Sequence, residues 1–150
     1  MTRKRTFEAA VQATNEIENC YKPGLQALGS DSDKIHLTDN RECDGSVNID
    51  GCLQTVMPNS NRWDYVISYK SVTYFVEVHP AETSEVEKVL AKLQWLKNWL
   101  KERAPEIEKL KAEQPYYWIQ SGRFNIPRTS RQYRNAASKG ILIQSKLFLK

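Results

Sequence analysis

The stretch RWDYVISYKSVTYFVEVHP, residues 62–80, decides the architecture. Two runs rich in β-branched and aromatic residues, Arg62 to Tyr69 and Val72 to His79, flank the break Lys70-Ser71, which is the pattern of a β-hairpin. A two-residue turn at Lys70-Ser71 sets Tyr69 opposite Val72 and fixes every pair behind it, ending with Asp64 across from Glu77. Strand alternation then places Asp64, Val66, Ser68, Thr73, Phe75, Glu77 and His79 on one face and Trp63, Tyr65, Ile67, Val76 and Val78 on the other. Pro80 is expected to end the second strand. A three-residue turn would shift the register by one and separate the two acids.

Downstream, Ser84 and Glu87 have capping-box spacing, and Val86, Val89, Leu90, Leu93, Leu96 and Leu100 mark one face of a long helix. Pro105 interrupts it, and Ile107 and Leu110 extend a further helical piece to about Glu113. Tyr116 to Gln120 reads as a strand, Ser130 to Ser138 as a short basic helix closed by Gly140, and Ile141 to Leu149 as a last strand. Upstream, Phe7, Ala10, Val11, Thr14 and Ile17 form a helical stripe ended by Lys22-Pro23-Gly24. The segment from Ser30 to Asn61 is rich in Asp, Asn, Gly and Ser, with short strands expected near Ile35 to Leu37, Ser46 to Ile49 and Leu53 to Val56. Strands alternating with helices, with neither repeat nor linker, imply one α/β domain over residues 1–150: a central mixed β-sheet flanked by helices and covered on both faces.

Composition bounds the partners. With 40% hydrophobic and 27% charged residues in 150, and no apolar run near the roughly 20 residues of a membrane span, the chain belongs with soluble globular proteins. Secretion and membrane contact are not expected, and the cytoplasm is the expected compartment. Cys20, Cys43 and Cys52 are odd in number and lack zinc spacing, so they read as reduced thiols. Residues 1–113 hold 15 Lys/Arg against 18 Asp/Glu, whereas residues 114–150 hold seven Lys/Arg and no acid. Arg123, Arg128, Arg131 and Arg134, interleaved with Phe124 and Tyr133, form the cluster an anionic partner favours, and Arg3-Lys4-Arg5 adds a second. A solvated basic face is the alternative.

The hairpin holds the candidate chemistry. Like charges opposed across strands repel, so Asp64 and Glu77 require a compensating cation or proton. Mg²⁺ or Mn²⁺ prefers oxygen ligands and commonly takes one or two carboxylates together with water and substrate phosphate. His79 is placed to act as a base, to orient a water or to ligate the ion. The alternative makes Asp64 a solubility residue, pairs Glu77 diagonally with Arg62, and leaves His79 a hydrogen-bonding residue at a strand end.

Asp64, a hairpin, then Glu77-Val78-His79 resembles the Asp…(Asp/Glu)-x-Lys signature of the PD-(D/E)XK nuclease superfamily, with the restriction-endonuclease-like fold. The order of elements is similar over residues 5–149, while the motif itself covers only Asp64, Glu77 and His79. The resemblance implies an αβββαβ core in which Asp64 and Glu77 bind Mg²⁺, the third position assists water, and an acid of the first helix, here Glu8, completes the site. Some nucleases of similar architecture place a helical glutamine near the active site, a position Gln94 on the long helix would match; a surface amide is the favoured alternative. The lysine position holds His79, and Trp63 precedes Asp64. On this resemblance the chain is an endonuclease-like protein acting on DNA through Mg²⁺ or Mn²⁺, with Asp64, Glu77 and His79 catalytic and Arg123, Arg128, Arg131 and Arg134 on the phosphate backbone. A non-catalytic nucleic-acid-binding or protein-interaction module of the same fold is the alternative.

Trp95 and Trp99 lie at i and i+4 beside the leucine stripe, as core residues or as the ridge of a homodimer. His36 among Asp31, Asp33 and Asp39 has no recognised ligand spacing and reads as a solvated loop.

Overall fold

The computed structural model describes residues 3–150, with side chains from Thr6 onward. The Arg3-Lys4-Arg5 side chains therefore lie outside the described residues. Helices are α1 (Arg3–Gln12), α2 (Ile49–Leu53), α3 (Val86–Glu102), α4 (Pro105–Glu108) and α5 (Arg131–Ser138). Strands are β1 (Ile35–Leu37), β2 (Cys43–Asn48), β3 (Tyr65–Tyr69), β4 (Val72–Glu82), β5 (Lys111–Asn125), β6 (Ile141–Gln144) and β7 (Leu147–Leu149). The main sheet has the order β2-β3-β4-β5-β6, antiparallel from β2 to β4 and parallel from β4 to β6, and β1 pairs with β7 in a second, parallel sheet.

The hairpin register is the expected one, with Tyr69 opposite Val72 and Tyr65 opposite Val76. Lys70 and Ser71 both adopt positive φ, 50° and 71°, as the mirror-image two-residue turn demands. The buried Asp44 of β2 locks this turn, accepting hydrogen bonds from Ser68 Oγ at 2.8 Å and from the Ser71 amide at 2.9 Å.

Two apolar clusters sandwich the sheet. Phe7, Val11 and Ile17 join Val66, Phe75 and Trp118 with the buried stripe of α3, while Ile67, Tyr69, Val76, Tyr117 and Ile119 meet Leu28 and the β1/β7 pair on the opposite face. The α-helices lie with the first cluster, and the second face is covered by a 3₁₀ segment (Gln26–Lys34) and the small sheet.

Several local expectations are corrected. Pro80 does not end β4. Pairing with β5 jumps from His79–Gln120 to Ala81–Phe124, and the resulting bulge accommodates a residue without an amide hydrogen. Trp63 joins the Val66 cluster because it precedes the first paired residue of β3, so strand alternation does not govern it. Leu53 to Val56 is not a strand: Leu53 ends α2. Ser84 lies in a 3₁₀ turn, and the residue preceding α3 is Glu85, with no side-chain cap, so the capping box does not form. The final strand breaks at Ser145-Lys146 into β6 and β7.

Cys20 and Cys52 are disulfide-bonded, with Cα atoms 6.3 Å apart, which corrects the reduced-thiol expectation for this pair. Their separation of 32 residues hides the proximity that arises when α2 folds back toward the segment after α1. Cys43 is buried and takes no part in the bridge. No helix among the described residues is long and apolar enough to cross a membrane.

Candidate active site

Asp64 and Glu77 converge. Asp64 stands just ahead of β3, its carbonyl held by the amides of Ile49 and Asp50 at the start of α2 (2.8 and 3.3 Å). Glu77 Oε1 accepts the Asp64 amide at 3.1 Å, and Asp64 Oδ2 accepts the Val78 amide at 3.0 Å, so each acid is fixed by the other's strand. Glu77 is fully buried, whereas the Asp64 side chain keeps 21% exposure.

The compensating cation comes from α3. Lys92 Nζ lies 2.5 Å from Glu77 Oε2 and 4.0 Å from Asp64 Oδ1. Burial alone would lower the Lys92 pKa, but the charge and hydrogen bond of Glu77, joined by Asp64, hold it above its ordinary value. Asp64 moves the other way for a carboxyl. Burial, reinforced by the Glu77 charge, pushes it up to about 7 against the opposing pull of Lys92 and the Val78 amide.

His79 completes the cluster. Its Nδ1 is 3.5 Å from Glu77 Oε2 and its Nε2 is 2.8 Å from Glu85 Oε1. The hydrogen bond to Glu77, with the second one to Glu85, outweighs burial and raises the imidazole pKa. Carboxylates at both ring nitrogens favour imidazolium, which suits a cation rather than a base or a metal ligand.

An open depression of about 400 Å³, lined by Asn61, His79, Glu87, Lys88, Ala91 and Lys92, reaches His79 and Lys92 of the cluster, while Asp64 and Glu77 lie behind them. Among the described residues, no group of three or more His, Cys, Asp and Glu side chains is arranged to hold a metal. Two carboxylates nevertheless suffice for a hard divalent ion that keeps water and takes phosphate oxygens. Asp64 Oδ1 and Glu77 Oε2 face the Lys92 ammonium, so a cation already sits where an ion would bind. A divalent ion held through one oxygen of each acid would have to displace the Lys92 ammonium.

Not every expected residue arrives. Glu8 acts on the Tyr21 phenol, and the further acid whose field reaches Asp64 is Asp50, itself paired with Arg62 at 3.0 Å. Arg62 is therefore not the partner of Glu77. Gln94 is exposed and donates to Asn98 Oδ1 at 3.0 Å, away from the two acids. Arg123 stands in the β5 bulge, at the sheet end that holds Glu77 and His79; Arg128 lies in the following loop. Arg131 and Arg134 line a groove of about 490 Å³ between α5 and the start of α3. All four arginines are exposed. Trp99 is buried, stacks on Trp95 with ring centroids 5.7 Å apart, and donates to Glu16 Oε1 at 3.1 Å, as a core residue does. His36 of β1 packs its ring at a tilt against Phe148, with centroids 5.3 Å apart.

Lys92 was the residue missing from the sequence-level site. Its signal was a cation three positions after Val89 and four before Leu96, on the stripe that α3 buries. Comparison with protein-family models, curated proteins and solved structures finds no match to this chain.

Proposed function

We propose that this chain is a divergent, metal-dependent nuclease-like phosphodiesterase acting on DNA, with Lys92 of α3 supplying the permanent positive charge that His79 cannot fully provide. The carrying observation is the convergence of Asp64, Glu77, Lys92 and His79 beside an open depression. Asp64 Oδ1 and Glu77 Oε2 would hold Mg²⁺ or Mn²⁺. When bound, such an ion polarises the phosphoryl group and lowers the pKa of its water.

The chain's own groups do the rest. Displaced from the carboxylates, the Lys92 ammonium donates to a non-bridging phosphate oxygen and offsets the charge that builds there. The His79 imidazolium, anchored by Glu85 at 2.8 Å, places a second positive charge 3.5 Å from Glu77 Oε2. Hydrolysis forms one P–O bond from water and breaks the P–O bond to the leaving nucleoside. The water proton passes to solvent, and the leaving oxygen gains one. The α5 arginines orient the backbone as phosphate contacts without reading sequence.

The test is cleavage of a plasmid or labelled oligonucleotide in Mg²⁺ or Mn²⁺. The wild type should cut, and Asp64→Asn and Glu77→Gln should each abolish cutting while the proteins remain folded. Cleavage surviving both substitutions, or its absence from the wild type, would overturn the proposal. A non-catalytic nucleic-acid-binding module is favoured by one observation, that Lys92 already neutralises the buried Glu77. It requires salt-sensitive binding with no cutting under any divalent ion.

A further inference from the structure

The solvent-facing side of α3 carries a second pattern. Glu87, Ala91, Gln94, Lys97 and Lys101 recur every three or four residues, so they form one stripe along the helix. The stripe borders the catalytic depression at Glu87 and Ala91, then a depression of about 340 Å³ that also contains Asn135 and Lys139 of the α5 end. Lys97 continues it into a third depression, about 480 Å³, with Lys101, Lys111 and Tyr116. The Arg131/Arg134 groove joins at Glu87 and Asn135. Neighbouring hollows share Glu87, Ala91, Asn135 or Lys97, so the four follow one another as a track from His79 and Lys92 to Lys101.

The track is positively charged. Arg131, Arg134, Lys139, Lys97, Lys101 and Lys111 line it, against the acids Glu87 and Glu108. Glu108 is engaged by Lys111. Lys97 is held over the Tyr116 ring, 5.3 Å from its centroid, and donates to the Lys139 carbonyl at 3.2 Å. Burial first, then the charges of Lys111 and Lys139, lower its pKa against the opposing pull of Glu108. From Glu87 to Lys101 the helix rises about 21 Å, the length of about six nucleotides of a strand stacked at the duplex rise of about 3.4 Å, and of fewer if the strand is extended.

We infer that the α3–α5 track is the binding channel for one strand of a polynucleotide, its phosphates held by Lys97, Lys101, Lys139 and the α5 arginines, leading the backbone to Asp64 and Glu77. This inference rests on the nucleic-acid reading above and extends it to residues of α3 and to a direction of approach. Gln94, absent from the acid cluster, is in this channel's wall.

The test is fluorescence anisotropy with single-stranded DNA in EDTA, between about 50 and 200 mM salt. Lys101 and Lys139 are exposed, so replacing both by Ala leaves the core intact. The Lys101→Ala/Lys139→Ala pair should bind about 25-fold more weakly near 0.1 M salt, with a log–log salt slope shallower by about 1.4. The pair Lys146→Ala/Lys150→Ala, outside the track, should change neither quantity. Wild-type affinity and slope in the first pair, or an equal loss in the second, would overturn the channel. Tighter binding to duplex than to single-stranded DNA, with the first pair unaffected on both, would overturn it as well. A chain that binds through the track but never cuts refutes the hydrolase alone; one that cuts with the first pair unaffected refutes the channel alone.

Discussion

Lys92 Nζ meets Glu77 Oε2 at 2.5 Å, a lysine of the crossover helix neutralising a fully buried glutamate of a central strand. The pair explains how two acids coexist at adjacent strand positions, since repulsion between Asp64 and Glu77 is offset from a third element. It also fixes α3 against β4 at the point where the depression opens.

Lys92→Met should destabilise the fold by about 3 kcal/mol, because it leaves the buried Glu77 with only the longer contact to His79 as counter-charge. Adding Glu77→Gln to that variant should recover most of the loss. Urea unfolding of both proteins and the wild type checks the pair; equal midpoints for the wild type and Lys92→Met would refute it.

The raised Asp64 pKa makes stability fall as pH rises. The unfolded carboxyl loses its proton near 3.8, whereas the folded one keeps it to about 7, so the native state binds more protons between those values. Through that window Asp64 should cost the fold roughly 4 kcal/mol in total, an order-of-magnitude figure. His79 acts in the same direction: its contribution is complete below 6.5 and is lost as pH passes its raised folded value. Denaturant midpoints from pH 4 to 8 should decline in the wild type and decline less in Asp64→Asn, where the His79 contribution remains.

Reduction of Cys20–Cys52 should lower stability by about 3–4 kcal/mol on the loop-closure account for its separation of 32 residues. Thermal unfolding with and without a dithiol reductant measures this, and Cys20→Ala should match the reduced wild type. An unchanged melting temperature would contradict the bridge.

The legible parts of this protein were those governed by short-range rules. Alternation and a two-residue turn located Asp64 against Glu77, and helical spacing identified the residues that α3 buries. Lys92 was missed because its meaning depends on how α3 docks on β4, and no spacing within the hairpin encodes that. Pro80 remained inside β4 because the bulge that tolerates it belongs to β5. Cys20 and Cys52 meet only after α2 folds back, and Glu8 faces Tyr21 because of how α1 sits on β2. In each case the deciding contact lies on another element.

The central claim, that Asp64 and Glu77 share one cation site, is tested most directly by calorimetric titration of the protein with Mn²⁺ at pH 7 in two buffers of different ionisation enthalpy. Because Asp64 is about half protonated there, binding should release a fraction of a proton per ion, increasing as the pH is lowered. Asp64→Asn should abolish the release, and Glu77→Gln should abolish or strongly weaken binding. Mn²⁺ uptake that is independent of both carboxylates, or no uptake by the wild type, would contradict the account.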